Sequence, residues 1–104
     1  NRAFNHTRIP EDLHFPDVSQ AKTFQDIIAP YKGKVIFMDI WATWCGPCRD
    51  SFAFVKPLQE YAQEKDIVLL YLSIDNPEAE EKWKKMAAHY DLKGEHIRIQ
   101  EGNL

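Results

Sequence analysis

Two residues in this 104-residue chain have the types and spacing for redox chemistry. They are its only cysteines, Cys45 and Cys48, in the run Trp44-Cys45-Gly46-Pro47-Cys48-Arg49. Just upstream lies Val35-Ile36-Phe37-Met38-Asp39-Ile40-Trp41, apolar except for Asp39. An apolar run that ends at C-x-x-C reads as a strand delivering a dithiol to the start of a helix. Disulfide exchange needs a thiolate, because a thiol attacks poorly. The first turn of a helix offers unpaired N–H groups and the positive end of a dipole, which would stabilise a thiolate on Cys45. Cys48 lies one helical turn further on the same face and deeper. Cys45 is therefore the candidate nucleophile and Cys48 the candidate resolving thiol. Gly46 and Pro47 set the reach and stiffness between them. Pro47 is tolerated at a helix start because its missing N–H would be unpaired anyway. Trp44 is expected to form a partly exposed rim that shields the sulfur and, with Gly46 and Pro47, touches substrate. Trp41 is expected to pack under the turn.

Asp39 is the third candidate catalytic residue. A carboxylate inside an apolar strand is costly unless it is paired or neutral, and burial raises its pKa. Six positions before Cys45, it is placed to lie beneath the dithiol and to accept the proton that Cys48 must lose, through water. The bland alternative is a buried acid satisfied by backbone donors.

Two other readings compete for the cysteines. One is half of a zinc site completed by two of His6, His14, His89 and His96, but no ligand spacing supports it, and Gly-Pro between the cysteines favours a redox turn. No metal and no cofactor are expected. The other is a binding or scaffold module with an idle dithiol, or an inactive truncated fragment.

The elements that would position the dithiol follow from periodicity. Residues 1–20 hold Pro10 and Pro16 and little pattern, so they read as an extended arm with a short strand near Leu13-His14-Phe15. Phe24, Ile27 and Ile28 suit a short amphipathic helix over 21–29, capped by Ser19 or Thr23 and ended by Pro30. Val35–Trp41 and Ile67–Ile74 are continuous apolar runs, which fits parallel strands covered on both faces. Between them a helix from Cys48 to Glu64 would bury Phe52, Val55, Leu58, Tyr61 and Ala62. Pro57 inside it predicts a kink between Ala53 and Pro57. Asp75 or Asn76 would cap a last helix with Pro77 at its first position. Ala79, Trp83, Met86, Ala87 and Tyr90 form the buried face of that helix, and Lys93-Gly94 end it. The pairs Glu78/Lys82, Glu80/Lys84 and Glu81/Lys85 mark its solvated face. His96-Ile97-Arg98-Ile99 alternates and predicts a short edge strand. The histidines read as surface or cap residues. Strand, helix, strand, helix, strand gives an α/β chain built on a βαβ unit.

Composition fits one soluble globular domain, with 44% hydrophobic and 28% charged residues. A net charge of −3 and no basic cluster argue against nucleic acid. No apolar run approaches the roughly 18 residues of a membrane span. The chain opens at Asn1, so it is expected to be a piece of a longer protein whose targeting signal is not visible.

The segment Phe37 to Arg49 closely resembles the active-site segment of thioredoxins. The form W-A-T-W-C-G-P-C-R, with Lys32-Gly33-Lys34-Val35 before it, is most similar to the TlpA/ResA-like branch of bacterial exported thioredoxin-like proteins. Leu70-Tyr71-Leu72-Ser73-Ile74-Asp75 followed by Glu81-Lys82-Trp83-Lys84 also resembles that branch. The resemblance implies a thiol–disulfide oxidoreductase, mainly a protein disulfide reductase, with Asp39 at the family's buried acid position. Its partners would be protein thiol or disulfide substrates and an upstream electron donor. The compartment would be extracytoplasmic, such as the periplasm, with a membrane anchor in the full protein; the cytoplasm is the alternative. The chain departs from the branch in three ways. Ser51 stands where a Glu is frequent, and Ala53 where a Pro is frequent, with Pro57 four residues later. The third departure is larger: the chain stops before any candidate for the family's cis-proline loop. The expected fold is thus a partial thioredoxin-like domain over 21–104, a βαβ sheet with flanking helices whose C-terminal hairpin and last helix are missing. Strand 35–41 would then be an open apolar edge that invites a homodimer.

Overall fold

The computed structural model describes residues 9–100, and its centre is a four-stranded, all-parallel sheet. The strands are β1 (Leu13–His14), β2 (Ile36–Trp41), β3 (Val68–Ser73) and β4 (Gly94–Arg98), in the order β1-β4-β3-β2. Four helices connect them: α1 (Phe24–Ile28), α2 (Gly46–Ser51), α3 (Val55–Lys65) and α4 (Glu80–His89). The fold is α/β, as the pattern of runs predicts.

β3 is covered on both faces, which is why it reads as a continuous apolar run, whereas β2, the end strand among the described residues, buries Trp41 but leaves Phe37 and Ile40 exposed, against the expectation of full cover. Trp41, Leu69 and Tyr71 face Phe52, Ala62, Trp83, Met86 and Ala87 from the helices that follow the dithiol. Leu70, Leu72 and Ile97 pack on the opposite face with Ile27 of α1. Thr23, and not Ser19, caps α1, in a reciprocal pair with Asp26.

Five other expectations are corrected. The long helix after Cys48 is broken, not bent: α2 ends at Ser51, a 3-10 turn spans Phe52–Phe54, and α3 begins at Val55. Pro57 therefore sits in the first turn of a new helix, where no N–H is required. Tyr61, assigned to the buried face, is 54% exposed. Residues 94–98 are an interior strand between β3 and β1, so His96 and Arg98 are buried and not on an edge. His96 is held by stacking on Tyr71 and Phe15 and by a hydrogen bond from its ring to the Leu92 carbonyl. Gly94 does not end a helix. It opens β4 at φ 144°, and a Cβ there would lie 2.7 Å from the Leu69 carbonyl oxygen. Glycine is required because the backbones of β3 and β4 come so close. Of the three charge pairs expected along α4, Glu81–Lys85 forms, at 2.8 Å, while Glu80 lies 3.7 Å from the Arg98 guanidinium.

Candidate functional site

The dithiol stands where β2 meets α2. Trp41 closes the strand, Ala42 to Cys45 form a turn closed by the Cys45 N–H on the Ala42 carbonyl (3.0 Å), and α2 starts at Gly46. Cys45 is the N-cap of α2, with extended backbone dihedrals. An N-cap side chain normally accepts from an N–H of the first turn. Here the acceptor is the sulfur: the Cys48 N–H donates to Cys45 Sγ at 3.2 Å. Cys45 and Cys48 are joined in a disulfide with a Cα separation of 5.3 Å. Both are half-buried, and Cys48 packs against the core cluster that holds Trp41 and Phe52. An N–H aimed at one sulfur is the arrangement that stabilises charge on Cys45 once the bond is reduced.

Trp44 is 68% exposed and stands as a rim beside the disulfide, while Trp41 is buried edge-on against Phe52 at 5.2 Å. Gly46 and Pro47 occupy the first two positions of α2, and Pro47 is exposed. Ser51 turns its hydroxyl back on the Cys48 carbonyl at 2.6 Å.

Strand alternation puts Asp39 on the face of β2 that carries Trp41, the face on which Cys48 packs. Asp39 is half-buried, and its carboxylate has no hydrogen-bond partner among the described residues. Burial pushes its carboxyl above the usual range. Its register partner Tyr71 is pushed up to about 12, chiefly by burial, with the Asp39 charge acting in the same direction.

Of the residues considered for a zinc site, those that are described do not meet. His14 is exposed and bonded to Glu95, His96 is buried in its stack, and His89 is exposed against Tyr90; His6 lies outside the described residues. Among the described residues no three His, Cys, Asp or Glu side chains are grouped to hold a metal.

One feature of the site is absent from the sequence reading. Asp75, expected as a helix cap, is 3% exposed and caps nothing. Its carboxylate accepts from the Thr43 N–H (3.0 and 3.2 Å), the Thr43 hydroxyl (2.7 Å) and the Ser73 hydroxyl (2.5 Å). The helix-start pattern Asp75-Asn76-Pro77 concealed this role. The usable signal was an acid two positions after the end of a buried strand that runs beside β2.

Comparison with known proteins follows the same segment. Residues 5–99 match the family model described as Redoxin. The thiol-disulfide oxidoreductase ResA of Bacillus cereus is 36% identical over 62 residues, 60% of this chain and 35% of that protein. The thioredoxin-like protein YneN of Bacillus subtilis is 36% identical over 62 residues, 59% of this chain and 36% of that protein. The solution structure of a proposed thiol-disulfide oxidoreductase from Bacteroides vulgatus superimposes with a TM-score of 0.59 at 40% identity. That match covers 69% of this chain and 46% of the other. The chain thus spans about a third of the length of these curated relatives.

Proposed function

Because the chain belongs to the redoxin family, we propose that it is a thiol–disulfide oxidoreductase that reduces protein disulfides through Cys45 and Cys48. The observation that carries this is the Cys45–Cys48 disulfide at the end of β2 with the Cys48 N–H on Cys45 Sγ. In the forward direction the Cys45 thiolate attacks one sulfur of a substrate disulfide. A mixed disulfide forms, and the other substrate sulfur leaves as a thiolate and takes a proton from solvent. Cys48 then gives up its proton and attacks Cys45 Sγ. This restores the Cys45–Cys48 bond and releases the second substrate thiolate. Two electrons pass to the substrate, and a dithiol donor must return them.

Asp39 is the proposed acceptor of the Cys48 proton, through water. Its raised affinity for protons and its position on the dithiol face support the role. Trp44, Gly46 and Pro47 are the proposed substrate contacts. The domain is taken to be a partial thioredoxin-like unit over 21–104 preceded by an arm, and its compartment to be outside the cytoplasm. No helix among the described residues is long and apolar enough to cross a membrane. Among the described residues β2 ends the sheet, and it exposes Phe37 and Ile40 with Val35 just before it, which supports pairing of two copies there.

Insulin reduction tests the activity. With dithiothreitol as donor, the chain is expected to accelerate insulin precipitation, and Cys45→Ser to abolish the effect. No acceleration over dithiothreitol alone overturns the reading and leaves an idle dithiol.

A further inference from the structure

We propose that Asp75 is a positioning residue for the dithiol, acting through Thr43 to hold the Cys45 sulfur against the Cys48 N–H. The proposal rests on the exchange chemistry above and adds a residue to it. Backbone pairing between β2 and β3 ends at Trp41 and Ser73, followed by one further bond from the Ile74 N–H to the Trp41 carbonyl (3.0 Å). Beyond that point the Asp75 carboxylate continues the connection. It takes both donors of Thr43, the N–H at 3.0 Å and the hydroxyl at 2.7 Å, and its own N–H returns to Ser73 Oγ at 3.0 Å. Ala42, Thr43, Ser73 and Asp75 are all buried, whereas Trp44, the next residue of the turn, is 68% exposed. The turn is therefore clamped on its inner side two residues before Cys45 and open on its outer side. A buried carboxylate persists only when its lone pairs are filled. Two of the three side-chain and backbone donors that fill it belong to the active-site turn. Loss of the clamp would free that turn and lengthen the contact from the Cys48 N–H to Cys45 Sγ, now 3.2 Å.

The charge of Asp75 acts in the opposite sense. A carboxylate near Cys45 disfavours its thiolate, so neutralising it would favour attack. The two effects are separable. Thr43→Val removes the hydroxyl donor and keeps the charge; Asp75→Ala removes both clamp and charge. The assay is iodoacetamide alkylation of Cys45 in a Cys48→Ser background, followed from about pH 5 to 9, with folding checked by circular dichroism. Positioning predicts that Thr43→Val moves the midpoint upward, and that Asp75→Ala, which also removes the opposing charge, leaves it below that of Thr43→Val. At a pH below the midpoint, alkylation of Thr43→Val would slow about three- to tenfold, since one unit of pKa is tenfold in thiolate. Ile27→Ala, on the far face of the sheet, lowers stability without touching the turn and should leave the midpoint in place. Faster alkylation in Asp75→Ala with no change in Thr43→Val would make Asp75 an electrostatic residue only and overturn the proposal. An equal shift in all three variants would reduce it to stability and overturn it too. If Asp75→Ala does not fold, an unchanged midpoint in Thr43→Val is decisive against. The assay does not need exchange activity. A chain that fails to reduce insulin while Thr43→Val slows alkylation would refute the proposed function and keep the clamp.

Discussion

Acidification should weaken this fold through His96. The ring is fully buried between Tyr71 and Phe15 and bonded to the Leu92 carbonyl. Burial lowers its pKa from 6.5 to about 4, with His14 acting in the same direction; the Leu92 bond and the Glu95 charge oppose the shift. The sign follows from linkage. Between the two values the unfolded chain binds a proton that the folded chain refuses, so stability falls as pH drops from 6.5 toward 4. The full interval corresponds to ~3 kcal/mol, and about 2.5 kcal/mol of it should be lost between neutral pH and about pH 4.5. That is a large share of the ~5–15 kcal/mol that holds a typical domain together. Urea unfolding at a series of pH values measures it. The comparison is His96→Phe, which keeps an aromatic ring in the stack and removes the titrating group. The wild-type chain should lose ~2–3 kcal/mol over this range, and the variant under about 1 kcal/mol. Equal losses in both chains, or a flat wild-type profile, would refute the argument.

Other consequences follow from named contacts. Gly94→Ala places a Cβ 2.7 Å from the Leu69 carbonyl oxygen at φ 144°, and should cost about 2 kcal/mol or more in urea unfolding; a neutral result would mean that β4 shifts freely. Asp39→Asn should slow disulfide reduction and change its pH dependence, and an unchanged profile would remove the proton-acceptor role. The same variant should be more stable at neutral pH. The raised carboxyl pKa gives a contribution that is fully present below the unfolded value, 3.8, and is lost as pH rises through the folded one; equal urea midpoints at neutral pH would contradict that. Light scattering should find a dimer that Ile40→Lys converts to a monomer, because Ile40 is 57% exposed on the open strand; a wild-type monomer would contradict the proposed pairing.

The part of the fold legible in the sequence is the part governed by local rules. Continuous apolar runs marked β2 and β3, the C-x-x-C marked the end of β2 and the start of α2, and Thr23, one of two cap candidates, is the working cap. What escaped was set by the third dimension. His96-Ile97-Arg98 alternates like an edge strand, yet all three residues are buried, and β1 pairs beside the start of the same strand at Gly94 and Glu95. The polar side chains are accommodated by stacking and by pairing with Glu80, which no local pattern encodes. Pro57 signalled a disturbance but not its form, because a proline is equally compatible with a kink or with the first turn of a new helix. Asp75 was misread since its local context is a good helix start, while its partner Thr43 is 32 positions away and becomes adjacent only when β2 and β3 pair. At the site, the placement of Cys45 at a helix start was readable; the Cys48 N–H on its sulfur required coordinates.

The central claim is that Cys45 attacks and Cys48 resolves. Trapping tests it most directly: Cys48→Ser, reduced and mixed with a disulfide-bonded protein, is examined by non-reducing electrophoresis and peptide mass spectrometry. The account predicts a stable mixed disulfide on Cys45 that dithiothreitol releases, and no comparable adduct on Cys48 in Cys45→Ser. An adduct that forms only on Cys48, or on neither cysteine, would contradict it.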